Sequence, residues 1–191
     1  MEATISAVLE RHQALGTRRI ESIVLVHPQR DSACYHDPAN ILRGHQSAAR
    51  HAMVLFDRAW EGVPDRTTAQ LEMDVEDQLR QLGTGWAKAI VIDPELEVWL
   101  FRRSPRLEEA LGWRHRQPSL QDVLATHGLW PTDAAKPTDP KRAIEWALRE
   151  AKKPRSSSIY RDVAQKIGLK DCVDPSFQRF QTTLRGWFPP V

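Results

Sequence analysis

Short apolar runs alternate with helical stripes through the first half of the chain, and helical stripes alone fill the second. Three runs read as buried strands: residues 20–26, 52–57 and about 86–92, each apolar nearly throughout and bounded by turn residues. Ahead of them, Ile5, Val8, Leu9, His12 and Leu15 fall at helical spacing, and Gly16 is placed to end that helix. Residues 29–36 are polar and read as a loop. Asp37-Pro38 has the form of an N-cap followed by a first-turn proline, opening a helix toward Arg50. Thr67 with Gln70 makes a capping box, and Leu71, Val75, Leu79 and Leu82 make one stripe that stops at Gly83. Strand, helix, strand, helix, strand is the pattern of an α/β fold with a mostly parallel sheet flanked by helices.

Beyond the third run the pattern is helical. Asp93-Pro94, Ser104-Pro105, Asp139-Pro140 and Asp174-Pro175 repeat the cap-then-proline signature. Helices are expected over residues 120–126, 141–151, 158–167 and from Pro175 to about Arg185. Residues 131–138, rich in Pro, Thr and Asp, form the candidate linker. The expected organisation is an α/β domain over residues 1–135 and a helical C-terminal extension over 136–191, packed on it.

Charge sharpens that division. Residues 1–135 carry 15 Lys/Arg against 19 Asp/Glu, whereas residues 136–191 carry 12 against 6. A basic extension suits a polyanionic partner, and Lys152, Lys153 and Arg155, just ahead of a predicted helix, are the candidate nucleic-acid contacts. Two cysteines, Cys34 and Cys172, are too few for a disulfide framework or a thiolate metal site. The apolar runs fall far short of the ~18 residues a membrane span needs. A reduced, cytoplasmic protein without a membrane partner is the expectation.

Acids gather after the second and third runs. Asp57 ends an apolar strand, where an unpaired charge is costly, and Glu61 follows it beyond Trp60. Asp93, Glu95 and Glu97 follow the third. Carboxylates at the carboxyl ends of parallel strands lie where open α/β sheets bind ligands, and two or three of them suffice for Mg²⁺. Asp57, Glu61, Asp93 and Glu95 are therefore the candidate ligands. Asp57, Glu61 and Glu95 are the candidate catalytic residues for metal-assisted phosphodiester hydrolysis. For Asp93 the role of N-cap before Pro94 outweighs ligation. Glu97, two residues from Glu95, diverges from it by about 200° on a helix and is expected to pair with a basic side chain. The seven histidines show no metal-binding spacing, and the scattered glycines form no phosphate loop.

The strand ending in Asp57, the helix after it, and the strand running into Pro94-Glu95-Leu96-Glu97-Val98-Trp99-Leu100 resemble small Toprim-like proteins of prokaryotic defence and mobile-element loci. These are relatives of the Toprim domains of topoisomerases, primases and overcoming-lysogenization-type nucleases. Phe177 and the segment from Leu184 to Trp187 fit the same group. The resemblance covers most of the chain after Ile20 and implies a Toprim-like fold, a role in anti-phage defence and other defence-system proteins as partners. It also implies Mg²⁺-dependent phosphoryl transfer, with a Glu after the first strand and an Asp-x-Asp after a later one. This chain departs from that pattern. The Asp-x-Asp position reads Asp57-Arg58-Ala59, and the first strand runs into His27-Pro28-Gln29 with no Glu, leaving Glu61 as a substitute. Two readings follow: a Mg²⁺-dependent nuclease, or a non-catalytic scaffold or nucleic-acid-binding subunit with a degenerate site. A small-molecule phosphohydrolase or ligand-binding α/β protein is the third.

Overall fold

The computed structural model describes residues 1–101, 104–169 and 172–190. Two strands, β1 (Ala52–Asp57) and β2 (Ala87–Ile92), pair in parallel, with Ala52 opposite Ala87 and Asp57 opposite Ile92. Between them runs α5 (Thr68–Leu79), which buries Leu71, Val75 and Leu79. Its capping box is formed in full: the Thr67 hydroxyl accepts from the Gln70 N–H, and the Gln70 side chain accepts from the Thr67 N–H. The expected α/β arrangement of a parallel sheet flanked by helices is present, with two strands among the described residues.

The third expected strand is not in the sheet. Residues 20–26 form no ladder, and Ile23 and Val26 are 79% and 56% exposed. Both ends of the surrounding segment are tied to the ends of β1. The Arg18 N–H donates to the Phe188 carbonyl, whose ring packs on His51 just before β1, and Asp31 accepts from the Asp57 N–H at its far end. β-branched residues favour an extended backbone, but ladder hydrogen bonds to a remote partner are what make a strand, and those are a tertiary matter.

Two further expectations change. Residues 30–36, read as loop, form α3 (Arg30–His36), which buries Ala33 and is set against β1 through a Tyr35–Phe56 ring contact at 6.3 Å. The helix from Asp37-Pro38 is the short α4 (Pro38–Arg43), which stops well before Arg50. At the amino terminus the expected helix is broken into α1 (Glu2–Leu9) and α2 (His12–Leu15), and Gly16 ends the second with φ 75°. A Cβ on Gly16 would lie 2.7 Å from Arg185 Nε, which donates to the Leu15 carbonyl.

After β2 come a 3-10 turn (Leu96–Trp99), α6 (Pro105–Leu111), α7 (Leu120–Thr126), α8 (Pro140–Glu150), α9 (Ser157–Lys166) and α10 (Pro175–Trp187). Three of the five cap-then-proline sites work as read. Ser104 accepts from the Arg106 N–H, Asp139 from Arg142, and Asp174 from both Ser176 and Phe177. Asp37 and Asp93 make no such bond. Asp93 turns toward Arg58 instead, and Glu95 is extended, so the turn after β2 begins only at Leu96.

The sheet separates two apolar layers. On one face Val54, Phe56, Ala89 and Val91 pack with α5. On the other, Ile90 and Ile92 join Ile5 and Val8 of α1, Trp99 and Leu100, Ile144 and Leu148 of α8, Val163 of α9, and Phe177 and Phe180 of α10. This larger core crosses residue 135 without a break. The candidate linker is itself packed down: Trp130 Nε1 donates to the Ala134 carbonyl, Pro137 is buried, and Lys136 Nζ donates to the Val98 carbonyl at 2.7 Å. No helix among the described residues is long and apolar enough to cross a membrane.

Candidate functional site

Parallel pairing in this register brings Asp57 and Ile92 side by side, so the acids after both strands begin at one edge of the sheet. The chain crosses there: the Arg58 N–H donates to the Ile92 carbonyl and the Ala59 N–H to the Pro94 carbonyl. Asp57 Oδ1 accepts from the Leu96 N–H at 2.8 Å, joining the end of β1 to the turn after β2. Asp31 Oδ1 accepts from the Asp57 N–H at 3.0 Å. Burial is the main cause that pushes the Asp57 carboxyl up to about 8, with the nearby charges of Asp31, Glu97 and Glu95 adding to it; the Leu96 N–H opposes the rise. At neutral pH this acid holds its proton.

The other acids differ in their surroundings. Glu95, with its side chain 14% exposed, faces Lys141 Nζ at 3.5 Å, while its Oε2 is buried without a hydrogen-bond partner. Burial raises its pKa against the pull of Lys141. Glu97 is buried and lies 3.9 Å from Arg155, the basic partner expected for it. Asp93 sits half in solvent, 3.5 Å from Arg58. Glu61 is exposed on the loop after β1. Trp60, between Asp57 and Glu61, packs against the rings of Tyr35 and His36 at 6.0 and 5.9 Å.

Of the four candidate ligands, Asp57 and Glu95 share one electrostatic neighbourhood, whereas Asp93 and Glu61 point into other company. The acids that act on Asp57 most strongly are Asp31 and Glu97. Asp31 lay in a polar stretch with no periodic signal, and only the docking of α3 on β1 brings it there. Mg²⁺ prefers near-octahedral oxygen ligands and needs ionised carboxylates. Among the described residues no three His, Cys, Asp or Glu side chains converge in a way that could hold an ion.

The three basic candidates also separate. Lys153 Nζ donates to the Ala110 carbonyl at 3.1 Å, and Arg155 pairs with Glu145 and lies 5.6 Å over the Tyr160 ring. Lys152 alone of the three stands free in solvent. Beside it, Arg116 Nη1 donates to the Glu150 carbonyl while its guanidinium covers the Trp113 ring at 5.1 Å, and Arg149 is exposed. Arg116 thus lies at the carboxyl end of α8, which also carries the exposed side chains of Arg149, Glu150 and Lys152.

No family model, curated protein or solved structure matches the chain.

Proposed function

We propose that the protein is a non-catalytic binding subunit of a prokaryotic defence or mobile-element system, built on a degenerate Toprim-like domain and engaging nucleic acid together with partner proteins. The observation that carries this reading is the use made of Asp57. Its carboxyl accepts the Leu96 N–H and joins the end of β1 to the turn after β2, in a buried place that pushes it up to about 8. An acid so employed is a structural tie, and its neighbours Glu95 and Glu97 face Lys141 and Arg155. Arg116, Arg149 and Lys152, all at the carboxyl end of α8, are the cations offered to a phosphate backbone.

The test is binding and cleavage measured together. Labelled single-stranded DNA, duplex DNA and RNA are titrated with the protein by fluorescence anisotropy across a salt series, with millimolar Mg²⁺ or Mn²⁺, and the mixtures are then run on denaturing gels. Expected are salt-dependent binding, intact nucleic acid, and weaker binding by Arg116→Gln/Arg149→Gln/Lys152→Gln. Metal-dependent cleavage that disappears in Asp57→Asn would replace this reading with the hydrolase one.

A further inference from the structure

The two outer edges of the sheet are treated very differently. Hydrogen bonds from the Ala52 N–H to Trp86 and from the Arg58 N–H to Ile92 show that even-numbered residues of β1 face β2, so Met53, Leu55 and Asp57 face the outer edge. By the same alternation Ala87, Ala89 and Val91 face outward from β2. That second edge is closed by side chains. The Ala89 N–H donates to Glu76, the Val91 N–H donates to Glu72, and the Val91 carbonyl accepts from Arg179. On the β1 edge, among the described residues, only Asp57 is covered, by Asp31. An uncovered strand edge is a template for pairing, and proteins normally block it as β2 is blocked here.

The segment lying along that open edge is the one whose sequence reads as a strand. It leaves the Phe188 carbonyl near the start of β1 and reaches Asp31 at its end, so it runs parallel to β1. Ile20 and Val24 already pack on the core layer that Met53 and Leu55 touch. Glu21, Ile23 and Leu25 alternate with them, and Ile23 and Leu25 are 79% and 42% exposed.

We infer that residues 20–26 are a strap poised to close on the free edge of β1 as a third parallel strand, the exposed arrangement being its open state. The pairing pattern follows from the sheet. In β1, residues on the larger core layer face away from β2; in β2, residues on that layer face β1. Every strand of a parallel sheet repeats this sense, so in the closed strap Ile20, Ser22, Val24 and Val26 present their backbone outward. Glu21, Ile23 and Leu25 bond to β1, and the side chains of Ile23 and Leu25 move to the layer of Val54 and Phe56. The occupant is the chain's own segment because both of its ends are already held at the two ends of β1.

Residue-resolved amide exchange on the full chain, compared with Ile23→Pro, tests this. Ile23 is exposed and its N–H has no partner among the described residues in the open state, so proline there removes no hydrogen bond, whereas in the closed strap it removes one of the bonding N–H groups. Expected in the wild type is protection of about tenfold or more at Ile23, Leu25 and Leu55 relative to Ser22 and Val24. Ile23→Pro should abolish the protection of Leu55 while the amides of Val54 and Phe56, bonded to β2, stay slow. Free exchange at Leu55 and Ile23 in the wild type, unchanged by the substitution, would overturn the inference. So would protection that grows with protein concentration, which assigns the edge to a second copy.

Discussion

Asp57 Oδ1 lies 2.8 Å from the Leu96 nitrogen, so the last residue of β1 holds the turn that follows β2. Two segments 39 residues apart are fastened through one carboxyl oxygen. Asp57→Ala removes the acceptor and leaves a buried N–H without a partner. That omission costs about 1–3 kcal/mol. A fall in melting temperature of about 2–4 °C per kcal/mol is expected for a chain of this size, read by calorimetry or circular dichroism.

The same carboxyl gives stability a defined pH dependence. In the unfolded chain Asp57 titrates near its ordinary value of about 4, and in the fold burial and the acids around it push it up to about 8. Between those limits the folded state binds more protons than the unfolded one, so this group's contribution is complete below about pH 4 and is lost as pH rises through about 8. Asp57→Asn keeps an oxygen for the Leu96 N–H and cannot ionise. Its melting temperature should match the wild type near pH 3 and exceed it by several degrees at pH 9. A constant offset at both pH values would assign the effect to packing instead.

Identical Asp-Pro dipeptides should differ in worth. Asp174 is buried, accepts from the Ser176 and Phe177 N–H groups and lies 3.5 Å from Lys136 Nζ. Asp37 is exposed and makes no cap bond. Asp174→Ala should cost about 2 kcal/mol, at the upper end of the N-cap range, because it also strips a half-buried lysine of its counter-ion. Asp37→Ala should change the denaturant midpoint little.

Glu72 tests the closed edge of the sheet. One of its oxygens accepts from the Val91 N–H at 2.9 Å and from Arg179 Nε and Nη2 at 3.0 and 2.9 Å. Glu72→Ala and Arg179→Ala should therefore be non-additive, with an interaction energy of about 0.5–3 kcal/mol in a double-mutant cycle. Glu72→Gln, which keeps the acceptor, should recover part of the loss.

Cys34 should be a slow thiol. Burial, with the charge of Asp31 second, pushes it up to about 11, and only the thiolate attacks an alkylating reagent. Its rate with iodoacetamide should keep rising with pH beyond the range where an ordinary cysteine levels off.

Local chemistry was legible in the residues themselves. The Thr67/Gln70 box, the caps at Ser104, Asp139 and Asp174, the bounds of α7 and the paired runs of β1 and β2 all rest on contacts within a few positions or on strong periodicity. The Glu97–Arg155 pairing follows from charge, although its partner could not be named in advance. Matters that depend on remote neighbours were decided by the tertiary structure. Residues 20–26 have the composition of a strand, but a ladder needs a partner edge at the right distance, which propensity does not encode. Residues 30–36 carry no apolar stripe, yet they are helical where β1 and α5 offer Tyr35 the Phe56 ring and the Asp74 carboxylate. The acids at the sheet edge show the same division. Their place after the strands was written in the order of residues, whereas Asp31 beside Asp57, Lys141 beside Glu95 and the proton on Asp57 arise only when segments far apart in the chain exclude water together.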